Sequence, residues 1–145
     1  MEIASLIDAS IALVNDEREK VGAPPLTLDS KLMTSAQKHT DFMVSSDTLT
    51  HNDPAGSLGD RIKAAGYDFS SVGENIAKGF GTNDEARVMK IWMGSSGHRA
   101  NILNKAFTNL GVGFGGGTYW TQDFGRPLSS SRKNKRLVRK RLINY

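Results

Sequence analysis

The sequence predicts an α+β sandwich in which helices cover a small sheet, and three observations point there. Apolar residues recur at helical spacing through most of the first hundred positions. Two alternating segments near the end, Leu110–Phe114 and Thr118–Phe124, are joined by Gly115-Gly116-Gly117, the tight link a hairpin needs. A chain of 145 residues with 38% hydrophobic content is long enough to close one core.

Taken in order, Ile3, Leu6, Ile7, Ile11 and Val14 give an amphipathic helix over about 3–20, ended by Val21-Gly22-Ala23-Pro24-Pro25. Asp29 or Ser30 caps a second helix to about Ser45, with Leu32, Ala36, His39 and Met43 on one face. Turn formers fill Asn52–Gly56, and Ser57 caps a short third helix ending at Gly66, with Leu58, Ile62 and Ala65 inward. Glu74–Phe80 reads as a strand bounded by glycines. Thr82-Asn83-Asp84-Glu85 reads as a capping box opening a fourth helix, with Ala86, Met89, Trp92 and Met93 toward the core. After the Ser95-Ser96-Gly97 break, His98–Leu103 gives one or two further helical turns, and the hairpin closes the domain. Alternation puts Tyr119 and Thr121 on the sheet face opposite Trp120 and Gln122.

The net charge of +4 is unevenly spread. Residues 1–126 hold twelve Lys and Arg against all fifteen acids, whereas the tail carries Arg132, Lys133, Lys135, Arg136, Arg139, Lys140 and Arg141 without an acid. The division expected is therefore a folded domain over 1–126 and a basic tail over 127–145, disordered or a short amphipathic helix. The tail suits anionic surfaces; nucleic acid is not expected, because the folded part offers no basic face. Zero cysteines exclude disulfides and thiolate metal sites. No run of about 18 apolar residues exists, so no membrane span is expected. No signal peptide is recognised at the N-terminus, which leaves a cytosolic protein or one read after removal of its leader.

Chemistry concentrates in three segments. His98 stands where an apolar helix breaks; Leu49-Thr50-His51-Asn52-Asp53 offers a second imidazole; Val72-Gly73-Glu74-Asn75-Ile76 offers a carboxylate. Two imidazoles and a carboxylate are a donor set that divalent metals take, with Asn75, Ser95 and Arg99 beside them in the sequence. The alternative is a set of hydrogen-bonded loop residues. His39, between Ala36 and Met43, reads as a satisfied core histidine, and Glu85 as the cap partner. Ser95 and Ser96 lack a nucleophile-elbow context, and Gly111–Gly117 lacks the Lys-Ser/Thr of a phosphate loop, so neither signals catalysis or nucleotide binding.

The order His51, Gly73-Glu74-Asn75, Trp92…Gly97-His98, Gly111-Val112-Gly113 and Tyr119-Trp120-Thr121-Gln122 resembles the CAP superfamily (cysteine-rich secretory protein, antigen 5, pathogenesis-related 1), whose unit is also called the SCP domain. Asn15-Asp16-Glu17-Arg18 and Pro24-Pro25-Leu26 agree, and the likeness covers about residues 3–125. It implies a three-layer α/β/α sandwich with a central mainly antiparallel sheet, an extracellular setting, and a cleft of two histidines and two glutamates able to hold zinc. His51, Glu74 and His98 match three of the four; the second glutamate's place is Ser95, so the set is incomplete. The resemblance further implies a small lipid or sterol-like ligand, no catalytic residue, and a metal not needed for folding. The alternative it leaves is a metal-assisted hydrolase using His51, Glu74 and His98, with Glu74 as base.

Overall fold

The computed structural model describes residues 3–128. Nine elements follow in order: α1 (Ile3–Lys20), β1 (Thr27–Leu28), α2 (Ser30–Ser46), α3 (Leu58–Ala64), β2 (Phe69–Lys78), α4 (Glu85–Met93), α5 (Ser96–Leu103), β3 (Asn109–Gly115) and β4 (Tyr119–Pro127). The strands form one sheet in the order β1-β3-β4-β2, antiparallel except for the β1–β3 pair. α2 and α3 lie on one face; α1, α4 and α5 pack together on the other. This is the three-layer sandwich that the resemblance implied.

Strand alternation assigns the two interfaces. Val112, Phe114, Trp120 and Phe124 join Leu6, Val14, Val88, Met89, Trp92 and Ile102 in the larger core. On the opposite face Met43 packs with Ile76 and Tyr119, while Leu32, Ile62 and Tyr67 form a satellite cluster. Tyr119 and Thr121 therefore do oppose Trp120 and Gln122. The glycines of β3 let α2 settle directly on the sheet: a Cβ at Gly111 would meet the backbone of Leu32 and Met33, and one at Gly113 the backbone of Ala36.

Local chemistry sets the ends. Asp29, not Ser30, caps α2, accepting from the N–H groups of Lys31 and Leu32. Ser57 and Asp60 form a reciprocal capping box on α3.

Several sequence expectations change. β2 begins at Phe69 rather than Glu74, and an irregularity between Phe69 and Ser71 breaks its alternation. Gly73 is therefore inside the strand, where a side chain would collide with Asn101 and Phe107. The Thr82–Glu85 box does not form. Asp84 accepts from the Gly81 N–H instead, and Glu85 turns inward beside Ser10, Trp92, Trp120 and Gln122, lining a cavity of about 10 Å3. Its Oε2 has no protein partner there, and the space matches roughly one water. β4 runs through Pro127, paired with Phe69, one residue past the expected domain boundary. The expected tail beyond Leu128 lies outside the described residues.

Candidate functional site

β2 is the terminal strand of the sheet. Side chains from both helical layers therefore converge on it. Glu74 turns toward the α2 and α3 face, and its neighbour Asn75 toward α5.

The Glu74 carboxylate, 2% exposed, is the hub. Arg61 on α3 grips it with a two-pronged fork, Nη1 to Oε2 at 3.0 Å and Nη2 to Oε1 at 3.1 Å, while the same Nη2 also reaches the His51 carbonyl. His51 Nδ1 donates to Oε1 at 2.9 Å. Across the ladder Glu74 pairs with Asp123, which hydrogen-bonds to it and takes a 2.6 Å bond from Ser35. Burial alone would raise the Glu74 carboxyl. The hydrogen bonds from His51, Asp123 and Arg61, with the guanidinium's charge, outweigh it and hold the group down at about 2. Asp123 moves the other way: complete burial and the adjacent Glu74 charge push it well above the usual carboxylate range. Asp123 is thus the neutral acid of the pair and Glu74 the anion, balanced by Arg61.

This pattern fixes what His51 presents. An anionic acceptor forces the proton onto Nδ1, so the neutral ring offers its Nε2 lone pair outward, and the side chain is 56% exposed. The loop carrying it is anchored by the fully buried His39, which bonds Asp53 through Nδ1 (2.8 Å) and the Thr50 carbonyl through Nε2 (2.7 Å). His39 is the satisfied core histidine that its position on α2 suggested.

His98 lies in the first turn of α5, half-buried, with its Nδ1 inaccessible and unpartnered. Burial, and then repulsion from the His51 ring when that is protonated, lower its pKa. Its backbone is held by Asn75, whose amide reaches the His98 carbonyl and Gln122 Oε1. Asn101 bonds the Glu74 carbonyl and Asn75 Oδ1, tying α5 to β2.

Of the expected residues, His51 and Glu74 are in direct contact, and Asn75 holds the His98 backbone on the other face of β2. Two do not contribute. Arg99 points to the Met93 carbonyl at the end of α4, and Ser95 serves as the N-terminal flank of α5 without a side-chain cap bond. Arg61, Asp123, Ser35, Asp53 and Asn101 were not singled out from sequence. Arg61 sits three residues after inward Leu58 and four before inward Ala65; Asp123 follows Thr121 at strand period, so both had a positional signal.

The fit to a metal is partial. Both Glu74 oxygens are already engaged by Arg61 and His51, so Glu74 is the group that orients an imidazole rather than a ligand. Among the described residues no group of three or more His, Asp or Glu is arranged to hold an ion. What remains is two imidazoles, one backed by a carboxylate in the manner of metal-ligating histidines.

Known proteins share both the sequence pattern and the architecture. The model of the CAP, or cysteine-rich secretory protein, family matches residues 11–124. An uncharacterized protein, YkwD, of Bacillus subtilis is 44% identical over 116 residues, which are 79% of this chain and 44% of that protein. An SCP-domain extracellular protein of Bacillus anthracis is 34% identical, with a TM-score of 0.76 over 82% of this chain and 39% of its own. An outer surface protein of Borrelia burgdorferi shares the fold at a TM-score of 0.78 and 19% identity, covering 88% of this chain and 97% of its own. The chain spans less than half the length of the curated relatives it matches.

Proposed function

This chain belongs to the CAP family of cysteine-rich secretory proteins, and on that premise we propose that it is an extracellular, non-enzymatic binding domain. Its cleft uses His51 and His98 to capture a ligand together with a divalent cation, zinc first. The observation that carries the reading is the Glu74-bound tautomer of His51, which turns a lone pair outward; the second imidazole, His98, has its inner nitrogen unpartnered. Two neutral imidazoles would hold the ion and leave its other positions to water or to an acceptor on the ligand, where it would act as a Lewis acid. The absence of a third protein ligand among the described residues favours weak, exchangeable binding over a closed structural site. The extracellular setting rests on the family and on the Bacillus anthracis relative.

The lipid or sterol-like ligand stays part of the proposal on family grounds, with its docking site outside the α1–α4 cavity, which at about 10 Å3 is far too small for an acyl chain. The hydrolase alternative needs revising in its base. A carboxyl held at about 2 and gripped by a guanidinium is a poor proton acceptor at neutral pH, and His51, with only Nε2 free, can take that role only if it gives up the metal.

Calorimetric titration with zinc at neutral pH tests the reading. Wild type should bind about one ion, and His51→Ala and His98→Ala should each abolish binding while the far-UV spectrum stays unchanged. Undiminished zinc uptake in both variants would refute it. Peptide or ester turnover lost in His51→Ala would favour the hydrolase instead.

A further inference from the structure

A second cavity, lined by neither His51 nor His98, has Arg61 in its wall. It lies between α2, the loop after His51 and α3, holds about 210 Å3, and is lined by Ser35, Lys38, Asp53, Arg61 and three alanines, Ala55, Ala64 and Ala65. That space is enough for a small organic molecule.

Its charge can be counted from the hydrogen bonds. Asp53 faces His39 Nδ1, while His39 Nε2 faces a carbonyl that only accepts, so Nε2 carries a proton. Whichever partner holds the proton between Nδ1 and Asp53, the pair is neutral in sum. Arg61 is cancelled by Glu74, and Asp123, bonded to Ser35 at the cavity wall, is the neutral acid of its pair. Lys38 is left over. It is exposed at the rim and makes no ion pair among the described residues. The pocket therefore carries one uncompensated positive charge above a wall of alanine methyls.

The geometry points to a binding site for a short-chain carboxylate, its anionic end on Lys38 and its aliphatic end against Ala55, Ala64 and Ala65. A monoanion satisfies the leftover charge, and a few methylenes fill space that a fully hydrated anion would leave wet. Neither half suffices: an inorganic anion gains nothing from the methyls, and an alkylammonium meets the wrong charge.

Butyrate is the probe, followed by amide chemical-shift titration of the intact chain. Saturable shifts confined to α2, α3 and the 53–55 loop are expected, with a millimolar Kd fitting so small a ligand. Lys38→Met should weaken binding about tenfold, the scale of one charge-assisted hydrogen bond. Ala64→Leu, which fills an exposed helix position with a good helix former, should block binding while thermal stability holds. Phosphate and butylammonium should shift the same amides far less. Absence of saturable butyrate shifts, or equal binding by both variants, would overturn the assignment. Because His51 and His98 do not line this cavity, the zinc titration reads out independently.

Discussion

At the scale of single residues, the Glu74–Asp123 pair sets two opposite pH dependences. Glu74 is held at about 2 in the fold against its ordinary 4.5. Its stabilisation is therefore complete above pH 4.5 and is lost as pH falls toward 2. Asp123 is raised above its ordinary 3.8, so folding favours its neutral form and its cost grows as pH climbs from 3.8 through the raised value. Asn at 123 can still donate toward Glu74 and accept from Ser35 without ever ionising. Asp123→Asn should therefore stabilise the protein increasingly as pH climbs above 3.8. Glu74→Gln should erase much of the acid limb and strand the buried Arg61 charge, a loss of about 3 kcal/mol at neutral pH. Urea unfolding of the three proteins between pH 3 and 9 measures both effects. A stability difference between Asp123→Asn and wild type that stays constant as pH climbs above 3.8 would contradict the assignment of the neutral acid.

Among the elements, α2 against β3 is the contact with least room. Gly111 and Gly113 face the α2 backbone, where even a methyl would drive into Leu32 or Ala36. Gly111→Ala should lower stability by about 3 kcal/mol or more, the upper range for overpacking, and thermal unfolding reports it. A melting temperature within a degree of wild type would show that α2 floats free of β3. The other layer is tied differently. Arg18 at the end of α1 is fully buried and donates to the carbonyls of Pro24, Ile102, Asn104 and Phe107, joining α1 to the end of α5 and the lead into β3. Helix periodicity made α1, α2 and α3 legible, and the triple glycine made the hairpin legible, because both signals are local. The two-residue β1 and the first half of β2 were not, since their pairing is decided by partners far along the chain. The capping-box misreading of Glu85 has the same origin: the local pattern was valid, but Asp84 takes the Gly81 N–H and Glu85 faces the cavity between α4 and the sheet. In the site, His51, Glu74 and His98 stood out by residue type, whereas Arg61 and Asp123 looked like ordinary surface charges until α3 and β4 were packed.

For the whole molecule, the charge asymmetry is the property that no single contact explains. Fifteen acids sit within residues 1–126, and seven basic residues come after Leu128 without an acid. A basic segment attached to a net-acidic domain adsorbs to anionic surfaces by its own charge while the domain is repelled, so binding should depend on the segment and on salt. Since Pro127 is paired with Phe69 and the Leu128 N–H donates to Asp68, a clean test removes only the residues beyond Leu128. The full chain should co-sediment with vesicles of phosphatidylserine and phosphatidylcholine at low salt and release as salt rises past physiological strength. The chain cut after Leu128 should keep its melting temperature and stay in the supernatant. Equal sedimentation of both would place the attraction on the folded domain, where the count of charges opposes it, and would remove the tail from any role in surface attachment.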